Sequence, residues 1–272
     1  MRDNKMGKLS VALATFNEEE NIGKCLTSIR DVADEIVVVD GSSTDKTVEI
    51  ASSIGRSASG RKKSKIKIIV TDNPPIFHIN KQKAIDQCFG DWILQLDADE
   101  EITLELAGEI KEIVKKGSQF SAFWIKRKNY FLGRWLKKGG QYPDPVIRFF
   151  KKGKAYLPCK SVHEQMVVEG KVGTLKNDMF HYTVPTFTRY LTNSNRYTSL
   201  TAEELREKGM KVNPFNHLNY FVIMPLKTFF SLYFRHKGFL DGFPGFIFAL
   251  FSGLHFPIAY IKYWELTKKD DH

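Results

Sequence analysis
Two carboxylates separated by one small residue, Asp97-Ala98-Asp99, follow the apolar run of residues 92–96, and Glu100-Glu101 come directly after. A short apolar run of this kind reads as a buried strand, so its carboxyl end delivers charge at the edge of a core. Carboxylates packed this closely repel unless a cation neutralises them, and oxygen ligands with little else suit Mg²⁺ or Mn²⁺. Such a cation keeps waters and shares its remaining positions with the phosphates of a substrate. A calcium loop is excluded by spacing: with Asp97 as first ligand, Ile102 falls where glycine is needed and Gly108 where the last glutamate should be. The plainer alternative is a solvated acidic turn that caps a helix over residues 103–116.

Elements earlier in the chain prepare a site for this turn. Residues 9–14 form a buried-strand run that stops at Thr15-Phe16-Asn17, and Glu18-Glu19-Glu20-Asn21 open a helix with Ile22, Cys25, Leu26 and Ile29 at helical spacing. A second buried strand, residues 35–39, ends at Asp40-Gly41-Ser42-Ser43-Thr44-Asp45, and a helix follows over residues 47–54. Strand, helix, strand, helix with polar residues at the strands' carboxyl ends predicts an open α/β sheet that binds its ligand there. No G-x-G-x-x-G follows the first strand and no G-x-x-x-x-G-K-[ST] occurs, so neither a dinucleotide fingerprint nor a P-loop supports the site. Residues 56–67 read as a solvated loop before a strand over 67–71, and Asp72-Asn73-Pro74-Pro75 forces a turn.

Together, Val11 to Glu19, Val37 to Thr47 and Gly90 to Glu100 with its Asp-Ala-Asp resemble the family 2 glycosyltransferases of GT-A fold. The resemblance implies that Thr15, Asn17 and Glu19 line a nucleotide pocket, that Asp40 meets the uracil or ribose, and that Asp97 lies near the ribose and donor sugar. It makes Asp99 a ligand of a divalent cation, Mn²⁺ or Mg²⁺. The stretch Lys81-Gln82-Lys83-Ala84 stands where the family carries a basic pattern on a helix, which puts Lys83, or Lys81, on the diphosphate. Arg148, in the strand-like run 146–150, corresponds to a strand beside the acceptor.

A second constellation is Val162-His163-Glu164-Gln165, with His181-Tyr182 beyond it. Inverting sugar transfer needs one base for the acceptor hydroxyl's proton, and a carboxylate in hydrogen-bond reach suffices. A Val-His-Glu segment recurs at this place in the resembled family, which makes Glu164 the expected base. Imidazole serves a metal or a diphosphate equally; His181 is placed with the metal and His163 on the acceptor side, the alternative for both being a structural role. Lys237-Gly238-Phe239-Leu240-Asp241-Gly242-Phe243-Pro244-Gly245 resembles a turn in the subgroup similar to lipopolysaccharide core β-1,4-glucosyltransferases, so a lipid-linked acceptor is expected.

Composition sets the remaining bounds. The chain has 272 residues and a formal net charge of +10, and residues 126–154 hold ten cations against Asp144 alone. That excess fits an anionic partner: nucleic acid, an anionic lipid surface or a phosphorylated substrate. Residues 128–135 interleave aromatics with cations, a mixture that stacks bases or anchors a protein among lipid headgroups. Beyond Gly209, residues 215–234 and 239–261 approach transmembrane length, but Pro225 and Lys227 interrupt the first and Asp241, Pro244, His255 and Pro257 the second. Helices lying in one leaflet are therefore expected, with a spanning hairpin as the alternative. Three cysteines without metal-type pairing favour a reducing compartment, and residues 1–8 read as carrying no signal.

The reading is an α/β protein with a GT-A type open twisted sheet flanked by helices. It divides into a catalytic domain over 1–210, with a nucleotide-sugar half to about 118 and an acceptor half from 119, and an apolar membrane-associating segment over 211–272. The expected partners are a nucleotide-sugar donor, a lipid-linked or glycan acceptor and an anionic membrane surface, at the cytoplasmic face of the inner membrane and without nucleic acid. A nucleotidyltransferase and a non-catalytic membrane-binding module are the other classes; the first is disfavoured by the acidic loop after the first strand.

Overall fold
The structure, a computed structural model, describes residues 7–56, 64–160 and 165–270. The chain forms two compact units, one of Met1–Arg127 with Pro145–His181, the other of Lys128–Asp144 with Tyr182–His272. The boundary expected near residue 210 thus falls inside the second unit.

In the first unit, β1 (Leu9–Thr15), β2 (Glu35–Asp40), β3 (Lys65–Val70) and β4 (Trp92–Asp97) pair in parallel in the order β3-β2-β1-β4. Strands covered on both faces read as continuous apolar runs, and every residue of β2 is buried. The register sets Thr15 beside Asp40 and Ala14 beside Asp97. Because β1 leads outward to β2 on one side and to β4 on the other, the strand order reverses at β1, where open α/β sheets hold ligands.

Helix α1 (Ile22–Ile29) buries Ile22, Cys25, Leu26 and Ile29, one face of a 3.6-residue period. Helices α2 (Thr47–Arg56) and α3 (His78–Asp86) complete the parallel half. The turn after β4 leads into β5 (Glu100–Ile102) and α4 (Leu104–Lys116), whose N-cap Thr103 accepts a hydrogen bond from the Leu106 amide at 3.1 Å. Beyond it, β6 (Ala122–Phe131), β7 (Arg134–Trp135), β8 (Asp144–Lys151), β9 (Ala155–Tyr156), β10 (Val167–Val168), β11 (Val172–Thr174) and β12 (Met179–Val184) follow. The main sheet continues from β4 as β8-β6-β12-β5; β8 runs antiparallel to β4, so Phe149 stacks on Trp92 with ring centroids 4.7 Å apart. Strand β12 pairs with β5 and sets His181 opposite Glu100.

The second unit takes the ends of β6, β8 and β12. Its hairpin β6–β7 turns through Leu132-Gly133, with φ of 50° and 77°, the two positive angles that a tight two-residue hairpin requires. Helix α5 (Phe187–Glu207) packs along α8 (Gly242–Asp270), with Tyr190 edge-on to Phe251 and the Lys262 ammonium on the Asn195 side chain and the Thr198 hydroxyl. Between them lies a helical run of α6 (Pro214–Leu218), a π-helical turn at Asn219–Ile223, α7 (Met224–Phe230) and a second π-helical turn at Ser231–Arg235.

The sequence expectation of interruptions is corrected here. Helix continues through Pro225 and Lys227, and α8 runs unbroken past Pro244, His255 and Pro257. Pro225 follows a π-helical turn, where the backbone pattern already departs from i to i−4 bonding and the missing amide costs less. A Cβ on Gly253 would lie 2.8 Å from the Pro225 carbonyl oxygen, so glycine allows the two helices to meet backbone to backbone. The stretch Gly238–Lys268 is long and apolar enough to cross a membrane by length and composition.

Candidate active site
At the ends of β1 and β2, two loops are sewn together through side chains. Asn17 adopts a φ of 54°, its amide donates to the Ser43 hydroxyl at 2.9 Å, and its Oδ1 accepts from the Thr44 amide at 2.8 Å. Glu19 accepts from the Lys46 amide at 3.0 Å, and its own amide donates to Asp45 at 3.1 Å. Asp40 is fully buried and receives the Ser43 amide at 2.8 Å and the Ser43 hydroxyl at 2.6 Å, two of the roughly four bonds a carboxylate can accept. The Thr15 hydroxyl is buried with no hydrogen-bond partner, as is the Asn80 side-chain carbonyl at the start of α3. Expected nucleotide ligands Thr15, Asn17, Glu19 and Asp40 therefore come together in one pair of loops. Asn17 and Glu19 already hold the loop backbone.

The acidic turn meets its neutralising charge within the protein. Asp97 Oδ1 lies 2.5 Å from the Lys81 ammonium and its Oδ2 2.5 Å from the Arg148 guanidinium. Glu100 is fully buried; its Oε1 is 2.8 Å from Arg148 and 3.4 Å from Arg127, and its Oε2 accepts the Asp97 amide at 3.0 Å. The other arm of Arg148 donates to Gln95. Burial alone would raise the Asp97 pKa, but Arg148 and Lys81 hold it well below the usual carboxylate range. Burial pulls the Lys81 pKa down against the attraction of Asp97, while the two carboxylates outweigh burial at Arg148 and push its pKa up.

Asp99 stands apart from this cluster. Its Oδ2 is 3.5 Å from Nε2 of His181, which β12 delivers through its pairing with β5. Burial opposes ionisation of both groups; each nonetheless favours the other's charge, lowering the Asp99 pKa and raising that of His181. A carboxylate oxygen and an imidazole nitrogen facing each other are a donor set that Mn²⁺ or Mg²⁺ accepts, with the other positions left to water and phosphate. Among the described residues no group of three or more His, Cys, Asp and Glu is arranged around a common point. The set therefore fits a cation shared with a substrate and does not form a closed protein cage.

Several expected residues are placed differently. Lys83 is half exposed and binds Thr71 and Asp72 at 3.1 and 3.2 Å; Lys81, two residues earlier, is the lysine on Asp97. Arg148 is only 8% exposed and sits on the acids of the turn. Glu164 and His163 lie outside the described residues. Glu100, Gln95 and Arg127 are not among the expected site residues; the one signal for them is a glutamine inside the apolar strand 92–96.

A parallel β3-β2-β1-β4 half, polar loops at the ends of β1 and β2, and an Asp-Ala-Asp turn at the end of β4 define a glycosyltransferase of GT-A fold. Residues 10–168 match the profile of Glycosyl transferase family 2, and the chain belongs to that family. An uncharacterized glycosyltransferase of Rickettsia typhi is 28% identical, over 97% of this chain and 89% of its own length. The lipopolysaccharide core biosynthesis glycosyltransferase LpsC of Rhizobium meliloti is 26% identical, over 94% of this chain and 92% of its own. Among solved structures, S. aureus TarS 1–349 in complex with UDP-GlcNAc superposes with a TM-score of 0.51 at 18% identity, covering 90% of this chain and 80% of that one, which shows the shared fold. The protein is thus an enzyme of the glycosyltransferase class, and the nucleotidyltransferase and non-catalytic readings are set aside.

Proposed function
We propose that the enzyme transfers a sugar, with inversion, from a nucleoside-diphosphate sugar of the UDP type to a hydroxyl of a membrane-held glycan or glycolipid on the cytoplasmic face. The observation that carries this reading is the division of labour at the acidic turn: Asp97 is clamped by Lys81 and Arg148, while Asp99 is left facing His181. A clamped carboxylate keeps its position and orients donor hydroxyls; Asp99 and His181 would hold a divalent cation. When bound, that cation supplies positive charge for the diphosphate leaving group. Thr15 and Asp40 have hydrogen-bonding capacity to spare for the nucleoside. Glu164 takes the proton of the acceptor hydroxyl as its oxygen bonds to the anomeric carbon, and the bond to the diphosphate breaks with its electron pair leaving on the nucleotide. The near full-length similarity to LpsC supports a lipopolysaccharide core acceptor.

The test is release of nucleoside diphosphate from a panel of nucleotide sugars with Mn²⁺, Mg²⁺ or EDTA, on wild type, Asp99→Ala and His181→Ala. Metal-dependent release from one donor, lost in Asp99→Ala and reduced in His181→Ala, is expected. If both turnover and Mn²⁺-dependent UDP binding by calorimetry are absent, the donor-site reading is overturned.

A further inference from the structure
In the second unit, an apolar stripe is left uncovered among the described residues. Along α6, α7 and their π-helical turns, Leu218, Phe221, Leu226, Phe230 and Phe234 recur every three to five residues and are all exposed. Helix α8 continues the exposed surface with Phe243, Leu254, Ile258 and Ile261, while its opposite side buries Ala249, Ala259, Tyr260 and Tyr263. Scattered apolar residues on a surface need no explanation, but a stripe along two paired helices marks a docking face.

Charge identifies the occupant. Residues 128–138 and 235–241 carry six cations against one carboxylate, Asp241. That carboxylate is buried and fixes the loop, accepting the amides of Lys137 at 3.2 Å and Lys138 at 2.7 Å. The Gly139 amide donates to the His236 carbonyl at 2.9 Å, and Arg134 reaches the Leu240 carbonyl at 3.4 Å. The Lys128 and Lys137 ammoniums lie 4.9 and 4.7 Å from the centre of the Trp135 ring. The basic loop and the turn that exposes Phe239, Leu240 and Phe243 are therefore one rigid edge, with cations beside greasy side chains. Aromatic rings flanked by lysines match the headgroup level of a bilayer, and cations beside them match anionic phosphates.

Resting on the reading that the acceptor is membrane-held, we propose that this edge docks on an anionic phospholipid bilayer, Lys137, Lys138, Arg235 and Lys237 meeting lipid phosphates while α6, α7 and α8 lie in the plane of one leaflet. Two observations oppose a spanning arrangement. Lys227 is exposed in the middle of the first helical run, and α5, with Arg196 exposed, packs along α8 from Phe251 to Lys262. Hydrocarbon around either would be costly, whereas at an interface the lysine reaches water.

The experiment is cosedimentation of the full-length protein with vesicles of phosphatidylcholine, with and without phosphatidylglycerol, for wild type, Lys137→Gln/Lys138→Gln/Lys237→Gln and Phe230→Ser/Phe234→Ser. Each cation at such a surface strengthens binding about fivefold, so the triple variant should lose roughly 100-fold on anionic vesicles at low salt and little on neutral ones. The serine variant, altered only at exposed positions, should lose binding to both. A triple variant that binds anionic vesicles like wild type overturns the assignment of the basic edge alone. Wild type that binds neither vesicle overturns the membrane reading itself, and labelling of Lys237→Cys in spheroplasts by a membrane-impermeant maleimide, which places the turn on the far face, overturns in-plane docking.

Discussion

Replacing Arg148 with methionine isolates what the protein's own charges do at the acidic turn. The guanidinium is nearly buried and touches two carboxylates, Asp97 at 2.5 Å and Glu100 at 2.8 Å. After the substitution Asp97 keeps Lys81, but the fully buried Glu100 keeps Arg127 at 3.4 Å as its cation and the Asp97 amide at 3.0 Å. Removing one partner from a buried ion pair costs about 3–5 kcal/mol. The remaining cations place this site near the lower end, about 3 kcal/mol. At roughly 2–4 °C per kcal/mol for a domain of this size, the midpoint should fall by about 6–12 °C. Adding Glu100→Gln removes the stranded charge, so Arg148→Met/Glu100→Gln should melt above Arg148→Met alone. The assay is thermal and urea unfolding of the four proteins in a double-mutant cycle. An Arg148→Met midpoint within about 2 °C of wild type, or a second substitution that adds to the loss, would refute the clamp.

Other outcomes follow from the same geometry. Lys81→Met strips Asp97 Oδ1 of its cation and should raise the donor KM while lowering stability by about 3 kcal/mol, the lower end for a buried pair because Arg148 stays on Oδ2; Lys83→Ala, at an exposed pair with Asp72, should leave the unfolding midpoint unchanged. Asn17→Ala deprives the Thr44 amide of its acceptor and puts alanine at a positive φ, so unfolding should show a loss of about 1–2 kcal/mol, with Asn17→Gly recovering the backbone part.

The parallel half was legible because its strands are covered on both faces, which turns residues 9–14, 35–39 and 92–96 into plain apolar runs. The acidic turn was legible because charge at the end of such a run is rare. Its partners were not, since Lys81, Arg127 and Arg148 reach it from three separate elements, and residue spacing does not report side-chain direction. Helix α3 misled in the choice between Lys81 and Lys83 because it buries His78, Asn80 and Lys81 alongside Ala84 and Ile85, so polarity does not mark its outer face. His181 is expected beside the metal for its imidazole, but the position that sets it there depends on β12 finding β5 across some eighty residues, a pairing that leaves no local trace. In the C-terminal helices the prolines suggested breaks because the π-helical turn that accommodates Pro225 has no sequence signature.

Strand β8 does two jobs for β4: it pairs with the strand's free edge, and it carries the guanidinium that neutralises Asp97 and Glu100 from 51 and 48 residues further along. During synthesis these come late. At about 5–20 residues per second the ribosome releases the acids roughly 3–10 s before Arg148, so a nascent chain holds an unpaired strand edge and a turn of like charges at the same place. Chains ending before residue 144 should be cut by protease within residues 92–102, where the full-length chain, with β8 on β4 and β12 on β5, resists. The second half of the protein thus acts first as the clasp that lets the nucleotide half finish folding.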